Sequence, residues 1–434
     1  MEIETLVELT VERLGINGEG VARLDGYTIF VDGALPGEKV KARFYEKRKS
    51  FGRAKIVQIL ERSPHRIKPI CPLFGRCGGC QLMHLDYAEQ LKMKRQKVVD
   101  ALERIGKIFD IDVCDCSPSP QPLAYRNKIQ LPLVDGRLGL YARSTHDLIE
   151  IDGCFIHCAL GERIFKGIRR MITCSSAASE IRHVIIKTAV HTEQALVILV
   201  TMGRASAPLK QLASEILKFA PEIKGVVQNI NPAEGNVILG EEFVTLAGEG
   251  WIEERLADLS FIVSPASFFQ VNPAQAERLY QQVIDFADLK GDERVLDAYC
   301  GVGTLSLVLA KQAKEVIGVE SVAEAVSDAV KNAERNGISN ARFVCDQAEN
   351  FIATLKEIDL AILNPPRKGC EASLLQKLLE LKPKRVIYVS CDPATLARDL
   401  QLLSSGGYQI ETVQPFDMFP QTAHVESVVS LRYS

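Results

Sequence analysis

The sequence predicts an α/β chain: a Rossmann-like domain at the C-terminal end, a central α+β unit before it, and a small OB-like β-barrel at the front. Three observations carry this. From about Phe268 onward, short apolar runs alternate with helical stretches, as parallel strands joined by crossover helices do. Before Arg62, short period-two runs are cut by Gly15, Gly18, Gly20, Gly26, Gly33 and the pair Pro36-Gly37. Between these regions lies a cysteine cluster followed by a mostly strand-like pattern. The changes of texture place domains at 1–62, 63–262 and 263–434, with a helix near 87–105 free to pack on the last domain. A chain of 434 residues agrees with about three domains at roughly 100 to 200 residues each.

In the first segment the runs Val21 to Leu24, Tyr27 to Val31, Lys39 to Phe44 and Ala54 to Leu60 read as a small antiparallel barrel. Between Lys39 and Lys55 stand eight basic residues against one acid, Glu46, with Phe44, Tyr45 and Phe51 interleaved. That mixture suits phosphate contact plus base stacking, although a solvated hairpin would carry the same charges. The segment resembles a TRAM domain, a small RNA-binding barrel, and the resemblance implies an RNA partner.

Composition limits the alternatives. With 47% hydrophobic and 25% charged residues, and no apolar run near the roughly 18 residues of a membrane span, no membrane role is expected. The start, Met1 to Glu8, is acidic and lacks a signal-peptide layout, so a cytoplasmic location is expected. The twelve cysteines are then read as thiols. A net charge of −3 argues against polyanion binding over the entire surface, so any nucleic-acid surface must be local.

Cys71-x5-Cys77-x2-Cys80 lies in a Pro- and Gly-rich stretch, and Cys154 or Cys158 would complete a tetrad. Four thiolates suit zinc or an iron-sulfur cluster, and His84 is a further candidate ligand. Tyr87 to Ile105 then reads as a helix with basic residues Lys92, Lys94, Arg95, Lys97 and Arg104. The middle region shows strands at Lys128 to Leu133, His183 to Lys187, Ala195 to Thr201 and Gly225 to Asn229, and no motif that assigns a reaction.

In the last domain the pattern predicts parallel strands at Arg294 to Ala298, Glu315 to Val319, Ala341 to Val344, Leu360 to Leu363 and Arg385 to Ser390. An antiparallel pair, about Tyr408 to Phe416 and His424 to Leu431, follows. Val295 to Thr304 is a strand running into a Gly-rich turn and an apolar helix, at the carboxyl edge where open α/β sheets bind cofactors. Only Gly301 and Gly303 are present, so a nicotinamide dinucleotide is disfavoured. Glu320, at the end of the second strand, can accept both hydroxyls of a ribose. Asp346 and Gln347, after the third, can bond an adenine amino group. The order of these features favours S-adenosylmethionine (SAM).

Two further segments end at the same edge: Asn364-Pro365-Pro366-Arg367-Lys368-Gly369 and Ser390-Cys391-Asp392-Pro393-Ala394-Thr395. Most buried thiols are small hydrophobes, and Cys114, Cys174, Cys300 and Cys345 are read that way. Cys391 differs because it leaves a buried strand at the start of a helix, where the helix end is expected to favour its thiolate. Together with Ser267 to Asn272, Asp297 to Thr304 and His424 to Ser427, these segments resemble the RNA uracil-C5 methyltransferases, in particular the 23S ribosomal RNA enzymes of the RlmD (RumA) type.

The resemblance implies methylation of carbon 5 of a 23S ribosomal RNA uridine on a flipped base, with Cys391 as nucleophile and Glu426 as general base. It implies SAM contacts from Gln270, Tyr299, Thr304, Glu320, Gln347 and Asn364. It also implies a [4Fe-4S] cluster on Cys71, Cys77, Cys80 and Cys154, and a monomer is expected. One departure stands out: the family usually has Asp where this chain has Asn364, which can both accept and donate. Rival readings are the same chemistry on the T-loop uridine of transfer RNA, an amino-methyltransferase using Asn-Pro-Pro, and a non-catalytic RNA-binding protein.

Overall fold

The computed structural model of the protein describes residues 4–233 and 235–434, so the first three residues of the acidic start lie outside the described residues. Five strands, β1 (Leu6–Leu14), β2 (Gly20–Leu24), β3 (Tyr27–Asp32), β4 (Lys39–Lys47) and β5 (Phe51–Glu61), close into a barrel of order β1-β2-β3-β5-β4. Leu9, Val11, Ile29, Val31 and Phe44 alternate inward to fill it. Two features differ from the sequence reading. Leu6–Leu14 is a strand, and β3 pairs with β5 in parallel, so the barrel is not wholly antiparallel. Gly52 is needed here, because a Cβ would lie 2.3 Å from the Phe44 ring.

Helix α1 (Tyr87–Ala101) starts on Asp86, whose side chain accepts from the Glu89 N–H, and ends in a wider turn over Leu102–Gly106. Its buried positions Gln90, Lys94 and Val98 recur at four-residue spacing, so one face is fully engaged despite its polarity.

The central sheet contains β6 (Lys128–Val134), β7 (Arg137–Tyr141), β8 (Leu148–Glu150), β9 (Ile181–Ala189), β10 (Gln194–Thr201), β11 (Ile223–Ile230) and β12 (Glu242–Gly248). Its order is β12-β11-β10-β9-β6-β7-β8. Helices α2 (Ala159–Thr173) and α3 (Ala207–Phe219) cover one face through Ile164, Phe165, Leu209 and Leu212. The hairpin β13 (Ile252–Leu256) and β14 (Leu259–Val263) meets the other, where Ile185, Leu196 and Ile198 pack.

The last domain alternates α4 (Pro273–Ala287), β15 (Arg294–Ala298), α5 (Thr304–Ala310), β16 (Glu315–Glu320), α6 (Ala323–Arg335), β17 (Ala341–Cys345) and α7 (Ala348–Ile352). It continues with β18 (Leu360–Leu363), α8 (Ala372–Leu381), β19 (Arg385–Ser390), α9 (Pro393–Ser405), β20 (Tyr408–Phe416) and β21 (Glu426–Tyr433). Sheet order is β17-β16-β15-β18-β19-β21-β20, parallel through β19 and antiparallel at β21 and β20. Apolar side chains of α4 and α5 fill one face, and those of α7, α8 and α9 fill the other. Val98 of α1 and Val113 join the second face, so the segment ahead of the central sheet packs on the last domain. Among the described residues, no helix is long and apolar enough to cross a membrane.

Candidate active site

The strand order reverses between β15 and β18, which opens a crevice beyond their carboxyl ends. The chain leaving β15 turns sharply there: Tyr299, Gly301 and Gly303 have φ of 68°, 56° and 80°. At Gly303 a Cβ would stand 2.8 Å from the Phe343 ring, whereas at Gly301 it would meet no atom within 4 Å. The turn therefore packs tightly on one side and borders open space on the other. Glu320 braces it by accepting from the Gly301 N–H at 3.1 Å and the Val322 N–H at 3.0 Å.

Of the other residues singled out for the cofactor, Tyr299, Thr304, Gln347 and Asn364 stand just beyond strand ends along this edge. Tyr299 donates its hydroxyl to Glu349 at 2.8 Å, and Thr304 Oγ1 lies 3.2 Å from the Tyr280 hydroxyl. Gln347 is exposed beyond β17, and Asn364 follows β18 half-buried. Gln270 is buried in the segment before α4, its carbonyl accepting from Asn127 Nδ2 at 3.1 Å. Asp297, buried at the end of β15 against Ser306, has its carboxyl pushed up to about 7 by desolvation.

Cys391 is the first residue after β19 and Glu426 the first of β21. The two strands pair antiparallel, from Arg385 with Arg432 to Ser390 with Ser427, and the next step of that register sets Cys391 opposite Glu426. Glu426 is fully buried and its carboxyl is pushed up to about 7 by desolvation, which the Arg367 guanidinium partly offsets. The Cys391 thiol is raised as well, first by burial and then by the Glu426 charge, with Arg367 again opposing. This corrects the expectation that the helix end would favour a thiolate. Asp392 occupies that end instead, accepting from the Ala394 N–H at 2.9 Å and the Thr395 N–H at 3.2 Å.

Cys391 opens into a cavity of about 760 Å³ between the last domain, α1 and barrel residues 12–17. Arg367, Lys97 and Arg104 give its wall positive charge sites, and Phe30 adds an aromatic ring from the barrel. His424 is held down to about 4 by burial and by neighbouring cations, so it is neutral at pH 7.

Cys71, Cys77, Cys80 and Cys154 line a separate cavity of about 200 Å³ with Phe74, Met83 and Ile156. The Cys80 thiol is pushed up to about 12 by burial and by the three other thiols. Such a set is poorly disposed to hold its charges alone and fits a group that supplies positive charge. Of the alternative ligands, Cys158 turns away to Thr188 Oγ1 at 3.0 Å, and His84 stacks against Phe74 outside the cavity. Among the described residues no group of three His, Cys, Asp or Glu is placed to hold a single metal ion. All twelve cysteines are free thiols. Of those read as packing residues only Cys300 is buried; Cys114 is half-buried, and Cys174 and Cys345 are exposed.

Sequence reasoning gave no role to Arg367, Asp297 or Asn127. Arg367 carried a signal, a cation two residues beyond the first proline at the same strand edge as Cys391. Asn127 carried none, because its partner Gln270 is 143 residues away.

A thiol and a buried carboxyl at the carboxyl edge of a Rossmann-like sheet, beside a cleft bordered by the small barrel, fit the class that the comparisons show: a methyltransferase that acts on RNA. Residues 233–434 match the family described as tRNA (Uracil-5-)-methyltransferase, and residues 4–57 match the TRAM domain. A protein of Halalkalibacterium halodurans described as an uncharacterized RNA methyltransferase is 42% identical over 98% of this chain and 96% of its own length. One of Listeria innocua with the same description is 42% identical over 98% and 97%. The crystal structure of Pyrococcus abyssi tRNA (uracil-54, C5)-methyltransferase in complex with S-adenosyl-L-homocysteine superposes with a TM-score of 0.78 at 29% identity. That match covers 98% of this chain and 100% of the other. The chain belongs to the RNA uracil-5-methyltransferase family.

Proposed function

We propose that the protein methylates carbon 5 of a specific uridine in 23S ribosomal RNA, using SAM, through a covalent adduct between Cys391 and C6 of a base flipped into the cleft. The observation that carries this reading is the juxtaposition of Cys391 with the buried carboxyl of Glu426, whose proton affinity suits a base working near neutrality.

Gln270, Tyr299, Thr304, Glu320, Gln347 and Asn364 would hold SAM around the Gly-rich turn. Bound there, SAM supplies an electrophilic methyl group on sulfonium. Cys391 Sγ adds as thiolate to C6, and the electron pair of the C5–C6 double bond moves onto the C4 carbonyl as an enolate, which makes C5 nucleophilic. Arg367 supports the thiolate form. C5 takes the methyl group as the sulfonium S–CH3 bond breaks, leaving S-adenosyl-L-homocysteine; Glu426 then takes the C5 proton, the double bond re-forms, and the C6–S bond breaks to return the thiolate. Asn364 retains an acceptor oxygen where the family usually has a carboxylate.

Cys71, Cys77, Cys80 and Cys154 are assigned to a [4Fe-4S] cluster that orders the segment ahead of α1. Four cysteine thiolates around one cavity suit a cluster or a zinc ion, and the resemblance to the ribosomal RNA enzymes supports the cluster. The cytoplasm is the compartment in which these thiols stay reduced.

The second reading, the T-loop uridine of transfer RNA, is favoured by the likeness to the archaeal enzyme. RNA carrying 5-fluorouracil tests the chemistry, because fluorine cannot leave as a proton and the adduct should be trapped. No adduct, or one that persists in Cys391→Ala, refutes the mechanism. Methylation of protein-free ribosomal RNA against transfer RNA fragments, mapped by mass spectrometry, decides the substrate.

A further inference from the structure

Lys187 lies in the middle of the central sheet, on β9, and is more than nine-tenths buried with no role in the chemistry above. It stands directly opposite Lys128 of β6, a like-charge pairing that sheets ordinarily avoid. Its ammonium makes three hydrogen bonds, donating to the backbone carbonyls of Ser264 at 3.1 Å, Pro265 at 2.7 Å and Ser267 at 2.9 Å. An ammonium has three protons, and all three are used on one short stretch of chain.

That stretch links the two larger domains and runs into Gln270. On its far side the Ser267 hydroxyl donates to Asp328 of α6 at 2.8 Å, the helix that follows Glu320. Asn127, next to Lys128, holds two residues further along: its Nδ2 donates to the Gln270 carbonyl at 3.1 Å and its N–H to the Val271 carbonyl at 2.9 Å. Residues of the central domain therefore fix the backbone of Ser264 to Val271 from one side, and the methyltransferase domain fixes it from the other.

We infer that Lys187 is a positioning residue for SAM: its ammonium holds the Ser264–Ser267 backbone so that Gln270 forms one wall of the cofactor site. This rests on the reading of that edge as the SAM site. Burial and the Lys128 charge lower the Lys187 proton affinity to about 7, with Asp328 opposing, while Glu254 of β13 borders the same small hollow. Loss of one proton leaves one of the three carbonyls without its donor. Cofactor affinity is then expected to fall as pH rises through neutrality.

The test is S-adenosyl-L-homocysteine binding by calorimetry to the full chain, beside steady-state kinetics. Lys187→Met should weaken binding and raise the SAM KM by about 10-fold or more, leaving the RNA KM within about twofold, because the clamp touches only the cofactor side. In the intact protein, affinity should weaken several-fold between pH 6 and pH 8.5 relative to Lys187→Arg, whose guanidinium does not titrate and whose profile carries the ligand's own titration. A wild-type protein that fails to bind S-adenosyl-L-homocysteine refutes the SAM reading itself. Wild-type binding matched by Lys187→Met overturns the role of Lys187. Should Lys187→Met not fold, parallel pH profiles of wild type and Lys187→Arg overturn it equally.

Discussion

Cys391 and Glu426 face one another one step beyond the last paired residues of β19 and β21, Ser390 and Ser427. Neither is near the other in sequence, and each is an ordinary residue type on an apolar strand end. Antiparallel register makes them neighbours, and burial makes each hard to ionise beside the other.

Replacing Glu426 by Gln separates catalysis from stability. Without a proton acceptor the C5 proton stays, so the methylated covalent complex should accumulate with natural RNA and turnover should drop by at least 100-fold on a denaturing gel assay. The fold, however, should gain. A carboxyl raised in the folded state favours protonation there, so stability falls as pH rises from about 4.5 to about 7 and the full cost, on the order of 3 kcal/mol, is present above that. Thermal melting should place Glu426→Gln above wild type at pH 8 and level with it near pH 4. Wild-type turnover by this variant would remove Glu426 from the mechanism.

Arg367 is the cation that lowers the proton affinity of both groups. Arg367→Met should therefore move the rising limb of adduct formation against pH toward alkaline values and slow adduct formation at pH 7. Stopped-flow mixing with 5-fluorouracil RNA reads this directly. An unshifted profile with a lower plateau would mean that Arg367 binds RNA and does not support the thiolate.

Lys94 of α1 and Asp417 form a fully buried ion pair, and Lys94 also donates to the Phe419 carbonyl at 3.0 Å. Lys94→Met leaves an unpaired buried charge and should cost about 3–5 kcal/mol by urea unfolding. The double variant Lys94→Met/Asp417→Leu should recover most of that. If it does not, the carbonyl bond and packing of Lys94 matter more than the pair.

The cysteine segment touches the loop that precedes Glu426: the N–H groups of Gln81 and Leu82 both donate to the Gln421 carbonyl, at 3.0 and 2.9 Å. If Cys80 holds a group that orders this segment, Cys80→Ser should lose bound iron and lower the melting temperature. It should also speed amide exchange in residues 417–423. Zinc in place of iron in the purified protein would replace the cluster assignment, and unchanged exchange would detach the segment from the loop.

Much of the fold was legible because its signals are local. Strands Arg294–Ala298, Leu360–Leu363 and Arg385–Ser390 coincide with their apolar runs, which are buried on both faces and so leave no alternation to misread. Strand β1 was harder to read, since its Glu and Arg residues face solvent over a short buried stripe. The parallel pairing of β3 with β5 could not be read at all, because barrel closure joins strands that are not neighbours in sequence.

The sequence by itself determined the order of elements, the Gly-rich turn and the strand end that carries Cys391, because each depends on residues within about ten positions of one another. Tertiary structure alone decided what surrounds them. Register brought Glu426 to Cys391, the helix cap on Asp392 withdrew the expected help to the thiolate, and a lysine from another domain took hold of the chain beside Gln270. These are effects of burial and long-range pairing, and both exist only once the chain has closed on itself.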